Sequence, residues 1–503
     1  MSNGGPTASA AQEEWTLLAT GVRQFRYSWS TLTGRRININ ALNKLVGDAC
    51  QTLDEFDTLG SGENFGQAAA PLDTETSSMI AGRRIRQASR QAATYTPHYR
   101  RWFALHNIDP RSLDASSFAK QVPVTSKTIL RASPYGFVSD TAKPILRDQS
   151  TGSTGIPAPI WFSRYELDLY AAEAALGLLS LGVRSNHILA SCINSRTSYS
   201  AITGQRSTAL IGTGFIQIGT VTPRLVIEQL ATPMNLPSKS PQITHLLIPP
   251  SVLAGVIQQA EHDGWKPTDF GLHKLLVGGE IMTKALRQRA EETLGAASTV
   301  EQYMAAEIAP VGGVICSQGH LHMSVKHGLV EVVDPLDGSA TTPGAVGELV
   351  VTPYTAYRET TLLLRYGTGD LVRTMPAEQR INCELRSMSA FSPILGRLGT
   401  GPGPLERDIL EMLHAERAIP LPARYAVEGP AGDLSLHVVV GRRSAPLLSR
   451  LESQIAERNL GIKRLVLVDT PNDMLHQCST RADLSEGAFE SAAIERAMDM
   501  AGQ

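Results

Sequence analysis

The stretch Gln149–Pro157, QSTGSTGIP, sets the hydroxyls of Ser150, Thr151, Ser153 and Thr154 among Gly152 and Gly155 and ends on a proline. The two glycines let the backbone approach a ligand closely, and successive N–H groups in such a turn form an anion nest that the hydroxyls extend. That chemistry is phosphate binding. No Gly-Lys-Ser/Thr closes the loop, so it is not the P-loop of nucleotide hydrolases. A Ser/Gly surface loop has the same composition, and the stretch by itself does not separate the two.

Further groups follow in VGGE (Val277–Glu280), YMAAE (Tyr303–Glu307), GELVVTPYT (Gly347–Thr355), LLRYGTGDLVR (Leu363–Arg373) and ILGR (Ile394–Arg397). A carboxylate accepts two hydroxyl donors or offers hard oxygen to a cation, and a guanidinium is a permanent partner for phosphate. Taken singly, each is ordinary: a Tyr in a core, a Glu at a helix end, an Asp in a turn. Separately, Cys316, His320, His322 and His327 fall within a dozen residues. Thiolate and imidazole suit Zn²⁺, but the spacing matches no familiar zinc pattern, and zinc is not expected.

These groups need a scaffold, and the chain supplies one. HILASCI, ALIGTGFIQIGT, HLLIPP, KLLVGG and GLVEVV read as short apolar strands, often ending in Gly or Pro, while SRYELDLYAAEAALGLLSLG and MTKALRQRAEETLG carry helical periodicity. The alternation predicts an α/β architecture with mixed and parallel sheets flanked by helices, and ligands in such folds collect at the carboxyl ends of strands. Upstream, the first dozen residues read as a polar tail, Asp57–Ser78 as a linker, and Ser77–Ile108 as a surface helix with a basic face. Near Ser392 the composition turns to Gly and Pro, and a smaller α+β segment follows. The predicted organisation is an N-terminal extension (1–78), a large core (79–394) and a small divergent C-terminal domain (395–503).

The 503 residues are 42% hydrophobic, enough for a sizeable core, and 46 basic against 48 acidic residues leave no electrostatic footprint for nucleic acid or an anionic membrane. Cys50, Cys192, Cys316, Cys383 and Cys478 are scattered without a CxxC pair, as in a reducing compartment. The start shows no leader pattern and no window is apolar enough to span a bilayer. The expectation is a soluble cytoplasmic protein acting on small molecules.

In their order, the five motifs resemble the adenylate-forming superfamily of acyl-CoA synthetases and peptide-synthetase adenylation domains. The branch is similar to the phenylacetate-CoA ligases, whose pattern also resembles the segment from Thr96 through PVTSKTILRASPYGF and the stretch CSQGHLHMSVKHGLVEVVDP. The resemblance implies ATP and Mg²⁺ as cofactors. It places Ser150, Thr151, Gly152, Ser153, Thr154 and Gly155 around the phosphates, Gly278, Gly279 and Glu280 along the adenine, and Tyr303 on its face. Glu307 would hold Mg²⁺, Asp370 would accept the ribose hydroxyls, and Arg397 would contact ribose or phosphate. Thr151, Thr154, Glu307 and Arg397 would carry the catalysis, Ser198 and Tyr199 would line the acyl pocket, and a homodimer is expected by the same analogy.

The chain departs from the family pattern at four places. Ile156 stands where Lys is common, and Met304 and Ala306 replace a glycine and a hydroxyl residue. No acidic hinge residue follows ILGR, and the only lysine after Glu378 is Lys463, with Arg481 and His476 as other basic groups of the terminal region. The implied reaction is activation of a small, aromatic carboxylic acid as acyl-AMP, with CoA transfer the step most touched by these changes. Activation of nitrite to diazotise an aryl amine, amide formation, and a degenerate binding module are the alternatives.

Overall fold

The computed structural model describes residues 8–59, 74–149, 158–194, 198–219, 221–376, 383, 385, 388–398 and 403–473, with backbone alone for 8–18, 74–75 and 198. Its centre is an eight-stranded sheet. Gly214–Gln217, Ile188–Ser191, His245–Ile248, Lys274–Gly278 and Ser298–Tyr303 run parallel, and Gly313–Ile315, Leu321–Met323 and Ala390–Phe391 extend the sheet antiparallel. The strand Ile188–Ser191 is buried at every position, as a strand covered on both faces must be. Val226, Ile227, Val256, Ile257 and Leu286 from flanking helices pack with Ile188, Leu246 and Leu275 in one apolar cluster.

The helical signals hold where caps support them. Arg164–Ser180 starts at a reciprocal capping box between Ser163 and Glu166, and Lys284–Leu294 runs from a Thr283 cap to Gly295, whose φ of 71° no β-branched residue would accept readily. Three readings change. The polar N-terminal tail is helical from Ala8 to Thr33, the basic surface helix divides into Thr74–Tyr95 and Pro97–Leu105 at the proline, and ALI of ALIGTGFIQIGT closes the helix Ser198–Ile211 rather than opening a strand.

A second sheet, antiparallel, joins Gly328–Val333, Val346–Pro353, Tyr366–Arg373 and Gly396–Arg397. Residues 406–468 build a three-stranded sheet, Tyr425–Glu428, Leu434–Val439 and Ile462–Val468, against the helices Glu406–Ala415 and Ala445–Glu457, around Leu413, Leu436, Val438 and Leu451. This unit docks at the start of the helix Lys284–Leu294 through Arg407, whose guanidinium donates to the carbonyls of Met282 (2.8 Å) and Ile394 (2.6 Å), and through His414, which shares a 2.9 Å hydrogen bond with the Thr283 cap. Among the described residues no helix is long and apolar enough to cross a membrane.

Candidate active site

Asp370 and Arg397 are cross-strand neighbours in the antiparallel sheet, so the pair is fixed by register. The GTG before Asp370 makes a bulge: the ladder slips between Glu348 and Val350, Gly369 takes φ 79°, and its N–H donates to the Glu348 carboxylate at 2.9 Å. The bulge turns Asp370 toward the large sheet. There Tyr303, the last residue of its strand, donates its hydroxyl to Asp370 Oδ2 at 2.6 Å, while Arg397 Nε lies 3.4 Å from Oδ1. Burial first, and then the Asp370 charge, push the Tyr303 phenol well above its ordinary range, so it stays a donor.

Glu307 is buried beyond the same strand end. Its Oε1 accepts the Tyr366 hydroxyl at 3.1 Å and lies 3.7 Å from Lys127 Nζ, and no described residue bonds Oε2. Lys127 reaches this place by a defined route. Thr125 pairs with Tyr366 in a parallel bridge, and Ser126 caps the short helix Lys127–Ala132. Arg365, at φ 45°, braces the approach by donating to the carbonyls of Ala119 (2.6 Å) and Val122 (2.7 Å). Burial lowers the Lys127 pKa, Glu307 opposes that, and the Arg397 charge adds to it, which sets the ammonium among Glu307, Arg397 and Asp370. Asp148, buried at the end of its strand, accepts the backbone N–H of Tyr199 at 3.1 Å, and burial raises its pKa.

The sequence-predicted residues divide accordingly. Tyr303, Glu307, Asp370 and Arg397 come together. Gly278 and Gly279 lie at the adjacent strand end, where a Cβ on Gly278 would stand 2.6 Å from the Gln302 carbonyl and Gly279 has φ 87°. The Glu280 carboxylate is engaged by a helix start: it accepts Ser251 N–H (2.7 Å) and hydroxyl (2.8 Å) at the beginning of Pro250–Asp263, where a negative charge is favoured. Tyr199 is a core residue, stacked on Phe162 at 4.7 Å and edge-on to Tyr170 at 5.8 Å. Ser150, Thr151, Gly152, Ser153, Thr154 and Gly155, the Ser198 side chain, His476 and Arg481 lie outside the described residues.

Sequence reading missed Lys127, Tyr366 and Asp148 as members of the corner. Their signals were present: Lys127 sits in PVTSKTILRASPYGF, Tyr366 opens YGTGD, and Asp148 directly precedes the hydroxyl loop. The cysteine–histidine cluster also changes membership. His327 turns elsewhere, with Nδ1 on Ser324 (2.8 Å) and Nε2 3.3 Å from Glu173, and Cys383 takes its place beside Cys316, His320 and His322.

Comparison with known proteins fits this geometry. No family model matches the chain. It is 29% identical over 311 residues to the phenylacetate-coenzyme A ligase of Thermus thermophilus, covering 60% of this chain and 66% of that protein, just under two thirds of its length. The Escherichia coli phenylacetate-coenzyme A ligase is 24% identical over 401 residues, 77% of this chain and 88% of that one. Among solved structures, 2-hydroxyisobutyryl-CoA ligase in its postadenylation state superposes with a TM-score of 0.65 at 18% identity, over 84% of this chain and 93% of that chain. The chain is therefore phenylacetate-CoA ligase-like in sequence and has the adenylate-forming ligase fold.

Proposed function

We propose that this phenylacetate-CoA ligase-like chain is an AMP-forming ligase that activates a small, aromatic carboxylic acid with ATP. The observation that carries the proposal is the convergence of Tyr303, Asp370, Arg397, Glu307 and Lys127 at one end of the large sheet. In the reaction, a substrate carboxylate oxygen bonds to the α-phosphorus of ATP, the bond to the bridging oxygen breaks, and pyrophosphate leaves with its electron pair, giving acyl-AMP. The protein contributes positioning and charge neutralisation.

Asp370 keeps acceptor capacity beyond the Tyr303 hydroxyl, because a carboxylate offers about four lone-pair sites, so it can take both ribose hydroxyls. Arg397, held beside Asp370 by register, brings a permanent cation to ribose or phosphate. The Glu307 oxygen that meets no donor among the described residues is a hard ligand suited to Mg²⁺, with Asp148 as the neighbouring carboxylate. When bound there, Mg²⁺ would neutralise phosphate oxygens. Lys127 supplies a positive group within the corner itself, which bears on a chain whose terminal region carries no lysine beyond Lys463. The hydroxyl loop from Ser150 to Gly155 is assigned to the ATP phosphates, and Ser198 and Tyr199 to the rear of the acyl pocket.

The test is pyrophosphate release by the purified chain with ATP and Mg²⁺ across a panel of aryl acids, with and without CoA, beside arms containing an amine or nitrite with an aryl amine. Acid-dependent release supports the proposal, and the CoA arm reports whether a thioester follows. Release with nitrite alone would replace the acid, and silence in every arm would refute the ligase reading.

A further inference from the structure

Beyond the nucleotide corner, the large sheet carries a second cluster of side chains with a different chemistry. The strands Gly313–Ile315 and Leu321–Met323 form a hairpin whose tip is Cys316-Ser-Gln-Gly-His320. Cys316 N–H donates to the His320 carbonyl at 2.9 Å, Gly319 N–H donates to the Cys316 carbonyl at 2.9 Å, and Gly319 has φ 82°. This tight turn brings Cys316 and His320 side by side, and His322 follows one step along the strand. Cys383 arrives from the connection between the Asp370 strand and the edge strand Ala390–Phe391, which itself pairs with Leu321 and His322.

One ligand atom from each of Cys316, His320, His322 and Cys383 lies within 4.8 Å of every other. The two sulfurs are 3.3 Å apart, and His322 Nε2 is 2.8 Å from Cys383 Sγ. Tetrahedral Zn²⁺ with bonds of ~2.3 Å to sulfur and ~2.05 Å to nitrogen sets ligand atoms roughly 3.3–3.8 Å apart, so small side-chain rotations close the gap. Cys316, His322 and Cys383 are buried and His320 is half-buried, and His320 Nδ1 is a buried ring nitrogen with no hydrogen-bond partner among the described residues. A buried ring nitrogen in that state calls for a partner, and an ion held by the four converging side chains supplies one.

We propose that Cys316, His320, His322 and Cys383 bind one Zn²⁺ as a structural ion. Two thiolates neutralise its charge, two neutral imidazoles complete the tetrahedron, and four protein donors leave no open position for substrate. The site is chemically distinct from the nucleotide corner, whose ligands are hard carboxylates. A disulfide does not describe the arrangement: bonded sulfurs sit about 2.05 Å apart, and a disulfide gives no reason for two imidazoles to converge on it. The ion would pin the connection carrying Cys383 to the hairpin whose first strand pairs with the Tyr303 strand, so the cluster braces one wall of the active site from behind. The inference rests on the cluster alone and is independent of the ligase reading.

The experiment is elemental analysis of the full chain, purified without chelator or affinity metal, combined with cobalt substitution. The expected result is one zinc per chain, and a cobalt form with thiolate-to-metal charge-transfer and tetrahedral visible bands. Cys383→Ser should lose both the metal and the charge-transfer intensity contributed by that thiolate. Because that variant can fail to fold, His320→Gln serves as the milder test. Removing a direct ligand should weaken retention against a chelator by at least the ~10–100-fold that loss of an outer partner costs, with secondary structure unchanged. A folded, metal-free chain with reactive thiols would overturn the proposal, and so would a mass two hydrogens lighter with a Cys316–Cys383 disulfide.

Discussion

The large sheet supports two polar clusters a few residues apart along the chain, and they differ in how they wait. In the proposed nucleotide corner each carboxylate already has protein partners: Asp370 holds the Tyr303 hydroxyl and Arg397, and Glu307 holds the Tyr366 hydroxyl with Lys127 nearby. In the cysteine–histidine cluster the ligand atoms crowd one another, and His320 Nδ1 meets no described donor or acceptor. A site that must take up and release a ligand each turnover avoids the cost of bare buried charge by keeping exchangeable partners. A site built for a permanent ion has no such need.

If that contrast is right, the corner should be most sensitive where its stand-ins are also its ligand donors. Asp370→Ala removes the proposed ribose acceptor and the partner of both Tyr303 and Arg397, and pyrophosphate release should fall by ~10²–10³-fold or more. Lys127→Met should lower the turnover number by ~10–10²-fold, and its pH profile sharpens the assignment. Since burial lowers the Lys127 pKa, the ammonium is lost at lower pH than for an ordinary lysine as pH rises. Wild-type activity should therefore decline on the alkaline side, and Lys127→Arg, charged throughout, should extend the plateau upward.

A smaller change is expected for Tyr303→Phe. It deletes one hydrogen bond to Asp370 and keeps the ring, so ATP should bind within about tenfold of wild type. An effect on stability rather than activity lies at the docking face of the C-terminal unit, where burial lowers the His414 pKa to about 4. The unfolded imidazole takes a proton near pH 6.5 and the folded one does not until about 4. Stability is thus full above that window and falls as pH drops through it, by ~1–2 kcal/mol at pH 5. Urea midpoints at pH 7.5 and 5, compared between wild type and His414→Asn, measure this share.

Much of this was legible in the sequence because the fold's backbone demands are local. KLLVGG, HLLIPP and the capped helices each encode their own start and stop, and Tyr303 closes its strand with Glu307 just beyond it, at the edge of the parallel sheet where ligands gather. Lys127 was harder to see because its place depends on Thr125 pairing with Tyr366, far along the chain. Glu280 kept a familiar motif, while its side chain went to a helix start that only the tertiary structure supplies. Cys383 carries no local signal at all: it is 67 positions from Cys316, and the edge strand Ala390–Phe391 brings its segment back. Spacing reveals a metal cluster only when the ligands share one turn or one helix.

The most direct measurement is a calorimetric titration of ATP with Mg²⁺ into the wild-type chain and Asp370→Ala, with folding checked in parallel. The account predicts one nucleotide bound per wild-type chain and at least a tenfold loss in the variant, about what removing charge-assisted hydrogen bonds costs. Equal binding by both proteins, or none by a folded wild type, would contradict the nucleotide corner.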